Sequence, residues 1–584
     1  MIRLAMRWLT ATITVALLLG AAGTPSAASS FDPAKIDASF LAEILASPTD
    51  DFDVIVRSVV KKDDFKIDDK DDQDKKTERA HRAAERRIER AAKAVKEEHG
   101  ILKHALSIVG AVSASMKGVQ ILQLTRDNDV DYVVKDHTLQ AQFDPALDSA
   151  KAGSPGILEI GAPQAWSQLG VTGRGVGVAV VDSGVYAHPD LAGRIVAAID
   201  FTSVAPTVSN IPLSDLGGHG THVAGLIAGD GTRSGGLYTG VAPNANIIDV
   251  RVIDAAGGSN VSIILRGLQW VLANRVTYNI KVVNMSLGAT PSGSYKSDLL
   301  ATAAEVLIFA GVNVVVSAGN TGPLAGTITT PATDPYVITV GALDDNATPL
   351  LADDLMATFS SRGKTLFDRI AKPDVVAPGR KMVSLRSPGS ELDSLFPDRQ
   401  VTVLGSLSAD YYKLSGTSMA APVVAGTIAL MYERNPSLTP AQVKKRLKST
   451  VTPLAFGTTF DRGAGLVNAY RAAASVDTTK EYSADRVSDA FAKDMKKFIQ
   501  GQRFVWRDLA YNGGVDSGGR SWEGVTWENV RWDSVTWENV TWEGFTWEGV
   551  TWEGVTWETV TWQSTDQQST GAQSGTGATW DPVD

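Results

Sequence analysis

The stretch GVGVAVVD, residues 175–182, contains no polar side chain until Asp182. A strand with one face in water alternates apolar and polar residues, so an unbroken apolar run marks a strand buried on both faces. Working outward, NIIDVRVI (246–253), IKVVNMSLG (280–288) and NVVVSAGN (313–320) carry further short runs of apolar, β-branched residues. Between them lie the helix-like segments NVSIILRGLQWVLANR (260–275) and KSDLLATAAEVLIFAG (296–311). Strands alternating with helices predict an α/β fold from about Gly161 to Ser475, a parallel sheet sandwiched by helices. In such sheets functional groups gather beyond the carboxyl ends of the strands. Asp182, Ser286 and Asn320 fall at such ends.

The chain has 584 residues, 43% of them hydrophobic, enough for several domain-sized units. Its net charge of −10 gives nothing for a nucleic acid to bind, so no nucleic-acid partner is expected. No cysteine is present, which excludes thiol catalysis and thiolate-bound zinc. Residues 1–28 have the layout of a secretory signal peptide: Arg3 and Arg7, an apolar run to about Ala22, then the small residues Ser26, Ala27 and Ala28. The apolar run is short for a membrane span. A secreted, extracellular protein is expected, held by packing, hydrogen bonds or bound ions, since disulfides are excluded.

Residues 29–142 are highly charged and suggest a small α+β unit. TERAHRAAERRIERAAKAVKEEHG (77–100) reads as a helix, LSIVGAVSASM (106–116) and VQILQL (119–124) as strands, and the surroundings of residues 61–76 as partly disordered. Residues 476–520 form a polar connector with one helix near Ala484 to Ile499.

Three side chains fit the needs of nucleophilic hydrolysis. A serine hydroxyl requires an imidazole to take its proton and a carboxylate to fix that imidazole's tautomer. Asp182 ends an apolar strand. His219 opens a helix in GGHGTHVAG, with Gly218 and Gly220 leaving the ring accessible. Ser418 starts another helix in LSGTSMAAPVVAG. The Ser418 backbone N–H at a helix start and the Asn320 amide could hold a developing oxyanion. His219 and His222 have the spacing of a metal pair, yet no HExxH glutamate or thiolate accompanies them. His222 is read as structural.

The segments VAVVDSGV, GHGTHVAG and GTSMAAP, in this order, resemble the subtilisin-like serine proteases, peptidase family S8. The resemblance runs from about 155 to 475 through HPDL (188–191), NMSLG (284–288), SAGN (317–320), KPDVVAPG (372–379) and GAGLVNAYRA (463–472). It implies Asp182 as orienting carboxylate, His219 as general base and acid, Ser418 as nucleophile and Asn320 as oxyanion donor. It also implies that Ser286, Leu287, Gly288, Ser317, Ala318 and Gly319 flank the substrate, which would be a protein or peptide added as an extra strand. Thr321 follows Asn320 where an acidic residue would select basic side chains, so an apolar preference is expected. The longer stretch between Met382 and Lys413, with SELDSLFPDRQ (390–400), should shape one cleft wall. No cofactor is required for the chemistry. The family implies calcium as a structural ion, with Asp190 at a matching position, but DGTRSGGLYTG (230–240) departs from the family's companion loop and no ligand set is assigned. Residues 29–142 resemble, in layout, the family's inhibitory propeptide, an intramolecular inhibitor cut off between about Gln140 and Ala150. The peptidase domain is then 143–475.

Residues 521–563 carry tryptophan at a strict period of five, from Trp522 to Trp562, and a polar tail spans 564–584. Period five makes no stripe on a straight strand or a helix. It suits a chain that bends once per repeat, a short β-solenoid, or else a disordered tail. Exposed tryptophans would bind a cell surface, a glycan or other copies. An alternative function follows: a surface-binding or self-associating module whose protease serves its own maturation.

Overall fold

The computed structural model describes residues 31–65, 74–141, 156–203, 206, 208–209, 214–346, 348, 350–481, 487–488, 490–499 and eight short strands between 527 and 563. The expected leader at 1–28, the expected cleavage window beyond Ala141, the core of the charged stretch at 66–73 and the tail at 564–584 lie outside the described residues. Two units form, 1–509 and 510–584.

The expected α/β sandwich is present. In spatial order its sheet runs Ile338–Asp344, Asn313–Ser317, Ile280–Met285, Gly177–Asp182, Asn246–Arg251 and Ile195–Asp200, all parallel. Val375–Pro378 adds in parallel to Ile338–Asp344, and Leu355–Met356 pairs with that strand in the antiparallel sense. Gly177–Asp182 sits centrally with all six residues buried, which is why its sequence shows no alternation. Val178 and Val180 join a core with the helices His219–Ala228 and Thr417–Arg434. Ala179 and Val181 are equally buried and point to the other face, where Val261–Asn274 and Leu299–Phe309 pack together.

Within the first unit, the part that precedes the peptidase domain, the N-terminal unit hereafter, is a four-stranded antiparallel sheet ordered Ile101–Leu106, Ala111–Lys117, Asp51–Ser58, Val130–Lys135, with the helix Asp74–Glu97 packed on it. Two readings need correction here. Residues 107–110 turn the chain, with Gly110 at φ 60°, and the strand is confined to Ala111–Lys117. VQILQL is a helix, Gly118–Leu124, and not a strand. Ile121 and Leu124 are buried at helical spacing while Val119 is exposed, and the Gln120 side chain accepts from the Lys117 N–H at 2.7 Å to start the turn.

In the C-terminal unit the short strands pair in parallel, four repeats apart: Trp527 with Trp547, Trp532 with Trp552, Trp537 with Trp557, and Trp542 with Trp562. Pairing at every fourth repeat is the spacing of a chain that coils once per four pentapeptides.

Candidate active site

Asp182 ends the central strand and is wholly buried. Its Oδ1 accepts from the Ser183 N–H at 2.8 Å and lies 2.7 Å from His219 Nδ1. A carboxylate on Nδ1 holds the proton there and leaves Nε2 as the basic nitrogen. Burial alone would lower the His219 pKa. The Asp182 carboxylate, with a smaller contribution from Asp215, outweighs it, and the pKa stands above 6.5.

The histidine helix is aimed by Asp215, which sequence reasoning missed. This buried carboxylate accepts from the Gly218 N–H (2.7 Å) and Ser183 hydroxyl (2.9 Å) on one oxygen, and from the Thr221 N–H (2.8 Å) and hydroxyl (2.6 Å) on the other. The Ser183 hydroxyl in turn accepts from the Gly220 N–H at 3.0 Å. One acid therefore ties the residue after Asp182 to the first turn containing His219. Its signal in the sequence was an aspartate four residues before the histidine, at a helix start that favours negative charge. The glycines also need a different explanation. His219 is 2% exposed, so Gly220 does not open the ring to solvent. A Cβ at Gly220 would come within 2.2 Å of the Gly184 carbonyl oxygen, and glycine is what lets the two loops touch.

His222 lies one turn later and takes no part in a metal pair. Its Nε2 faces the carbonyl oxygens of Met382 and Tyr412, each at 3.1 Å, and burial pushes its pKa down to about 3. The ring stays neutral and pins the helix to the neighbouring strands Met382–Leu385 and Tyr411–Leu414.

Ser418 is the second residue of the helix Thr417–Arg434 and is buried; its hydroxyl donates to the Ser286 carbonyl at 3.0 Å. The Ser418 N–H lies in the first turn, where backbone donors lack intrahelical acceptors. Asn320 follows the strand Asn313–Ser317. Its Oδ1 accepts from both the N–H and the hydroxyl of Thr417, at 2.9 Å each. That clamp sets the amide's orientation and leaves Nδ2 a buried donor without a partner among the described residues. An unpaired buried donor costs about 1–3 kcal/mol, so the arrangement suits a site completed by substrate.

Ser286, Leu287 and Gly288 are all buried. The Ser286 hydroxyl donates to the Ser418 carbonyl at 2.9 Å and accepts from Asn284 Nδ2 at the same distance, so its side chain serves the serine helix. Ser317, Ala318 and Gly319 are buried, and the Gly319 N–H donates to the Thr417 hydroxyl at 3.1 Å. Gly319 has φ 108°, and a Cβ there would meet Thr329 Cγ2 at 2.7 Å.

A strand of the chain itself, Thr138–Ala141, lies between Gly258–Asn260 and Leu287–Gly288 and pairs antiparallel with both. Ala141 faces Leu287 and Gln140 faces Gly288. Asp136 accepts from the Ser262 N–H (2.9 Å) and hydroxyl (2.6 Å) and fastens the segment to the start of the helix Val261–Asn274. The stretch SELDSLFPDRQ forms the helix Glu391–Leu395 and packs on the loop before His219. The Glu391 N–H donates to the Leu216 carbonyl at 2.8 Å, and the Ser387 hydroxyl to the Asp215 carbonyl at 2.7 Å.

Asp190 does not fit a calcium ion. One of its oxygens accepts from the Arg233 N–H (2.8 Å), the other from the Tyr411 hydroxyl (2.5 Å), so protein donors stand where a cation would. Among the described residues no three or more His, Asp or Glu side chains converge as a metal site.

The family model described as peptidase S8, the subtilase family, matches residues 173–467, an interval that holds all four candidate catalytic residues. The chain belongs to the subtilase family. It is 42% identical over 308 residues to the serine protease AprX of Bacillus subtilis, a match covering 51% of this chain and 66% of AprX. It is 37% identical over 382 residues to subtilisin E of the same organism, covering 65% of this chain and 84% of subtilisin E. Among solved structures it is similar to fervidolysin from Fervidobacterium pennivorans, a keratinolytic enzyme related to subtilisin, with a TM-score of 0.55 and 25% identity. That match covers 74% of this chain and 62% of fervidolysin. The chain thus spans slightly less than two thirds of AprX and fervidolysin and most of subtilisin E. Its catalytic class is that of the subtilases, serine endopeptidases whose chemistry needs no cofactor. No helix among the described residues is long and apolar enough to cross a membrane.

Proposed function

We propose that this subtilase is a secreted serine endopeptidase made as a zymogen that processes itself. Asp182 holds and charges-compensates His219, His219 Nε2 takes the Ser418 proton and later delivers it to the leaving amine, and Ser418 forms the acyl-enzyme. The oxyanion is held by the Ser418 N–H and Asn320 Nδ2. Protein substrate adds as a strand beside Leu287–Gly288, with the 317–319 segment as the second wall; backbone pairing of this kind is broad in sequence taste, and an apolar side chain is preferred at the cut.

The observation that carries the zymogen reading is the strand Thr138–Ala141, which takes up the backbone edge of Leu287–Gly288 that a substrate would need. Residues 29–142 are then the inhibitory prosegment, cut just beyond that strand. N-terminal sequencing of the secreted wild-type and Ser418→Ala proteins tests this. Wild type should begin between about 140 and 150, whereas Ser418→Ala should lose only the leader and lack activity on the order of a millionfold, the family's own reference magnitude. A purified Ser418→Ala chain trimmed at the normal site overturns the reading.

A second reading has one observation in its favour. The four-repeat parallel ladder of the tryptophan segment makes an ordered coil a candidate for contact with a surface or glycan. In that case the protease would mainly mature its own chain, and the protein lacking residues 521–584 would be inert on casein.

A further inference from the structure

Beyond the peptidase domain the chain returns to the body as the helix Ala490–Ile499, and this helix is inserted between two others. It packs on Leu299–Phe309 of the peptidase domain and on Asp74–Glu97 of the N-terminal unit. Its attachment to the peptidase domain is polar and specific. The Ser488 N–H donates to both carboxyl oxygens of Glu305, at 2.9 and 3.0 Å, and the Ser488 hydroxyl donates to the second at 2.9 Å. Lys496 lies over the Phe309 and Tyr336 rings, 5.1 and 5.7 Å from their centroids.

The contact with the N-terminal unit has a different character. Arg87 is 0% exposed, donates to the Ser58 carbonyl at 2.6 Å, and lays its guanidinium over the Phe491 ring at 4.4 Å. Phe491, Ala492 and Met495 are themselves fully buried. A buried arginine stacked on an aromatic face is among the stronger cation–π arrangements because both partners are out of water. The described part of the connector, Ser488 and the helix Ala490–Ile499, is therefore more than a spacer.

We propose that the helix Ala490–Ile499 is a second receptor for the prosegment, so that release of the inhibitor after cleavage is gated by this C-terminal helix as well as by the cleft. The inference rests on reading residues 29–142 as a prosegment. Cutting the link beyond Ala141 removes the covalent tie and leaves holds on two surfaces: the peptidase domain, through the strand Thr138–Ala141, Asp136 on Ser262 and the Ile108 N–H on the Gln269 side chain at 3.3 Å, and the C-terminal helix, through Arg87 on Phe491. The inhibitor leaves only when both let go. Once it has gone, Phe491 and Met495 lose their cover on that side.

The test uses the full chain. After self-cleavage, size-exclusion chromatography follows loss of the N-terminal fragment, and peptide hydrolysis records the lag before activity. Phe491→Ala should release the fragment about tenfold faster and shorten the lag in proportion, with kcat/KM of the released enzyme unchanged. Phe491→Leu keeps an apolar cover without the ring face and should fall between, near threefold; it also serves if the alanine variant folds poorly. Normal cutting with release of both variants within twofold of wild type overturns the inference and leaves the prosegment reading standing. A wild-type chain that is never cut, or whose cut fragment does not inhibit, overturns both.

Discussion

The antiparallel sheet of residues 51–135 and the parallel sheet of residues 177–378 lie in one unit and handle charge in opposite ways. The first is fringed with exposed ion pairs such as Lys103–Asp53 and Lys117–Asp51, each side chain at least 39% exposed. Pairs of that kind contribute about 0–1 kcal/mol and are screened by salt. The second also buries charged groups inside hydrogen-bonded networks. Asp374 is held between Lys372 (2.8 Å) and Lys444 (3.0 Å), and Asp215 accepts four hydrogen bonds. The two lysines keep the Asp374 carboxyl well below the ordinary range, while burial draws Lys444 down to about 7. The lesson is one of lifetime. A catalytic frame must keep its geometry through many turnovers, and buried networks are costly to disturb. On the proposed reading of residues 29–142 as a prosegment, that segment needs only to fold, block and let go.

That contrast can be attacked from its strongest side first. Asn320→Ala removes the buried amide donor that has no partner among the described residues, and kcat should fall about a hundred- to thousandfold with KM little changed, again the family's reference magnitude. A variant with near-normal kcat would mean that the unpaired amide has no part in turnover.

Asp215→Asn comes next. The new amide group would confront either the Thr221 donors or those of Ser183 and Gly218, so thermal unfolding should show a loss of about 1–3 kcal/mol and turnover should drop roughly tenfold. Stability falling with turnover untouched would demote Asp215 from positioning the histidine to plain structure.

The pH profile sharpens the same point. His219 acts as a base only when neutral, and its neighbouring carboxylates raise its pKa. The acid limb of kcat/KM should therefore have its midpoint above 6.5, with activity lost as pH falls through it. In Asp215→Asn one of the raising charges is gone, and the midpoint should move down. The smallest effect concerns the N-terminal unit. Raising salt to about 1 M should speed prosegment release severalfold at most and leave the released enzyme's unfolding temperature nearly unchanged. A larger drop in the enzyme than in the prosegment would reverse the comparison.

Much of this was legible in the sequence, for identifiable reasons. GVGVAVVD announced a strand buried on both faces because no residue before Asp182 tolerates water, and the structure buries all six residues of Gly177–Asp182. Asp182 and His219, 37 residues apart, meet at 2.7 Å because each lies at an element end on the same edge of the sheet. Asp215 was not read, since an aspartate in a glycine-rich loop looks like a turn residue until its four donors are seen. VQILQL was misread because its apolar positions fit two periods, and only burial of Ile121 and Leu124 chooses between them. The Arg87–Phe491 contact joins positions some four hundred residues apart with no motif at either, and nothing in local pattern encodes such a pairing.

The ladder of the C-terminal unit closes on itself at every fourth pentapeptide, Trp537 meeting Trp557. Gain or loss of a single pentapeptide in such a tract would turn everything downstream by a quarter revolution, whereas four together would restore the heading and change only the height.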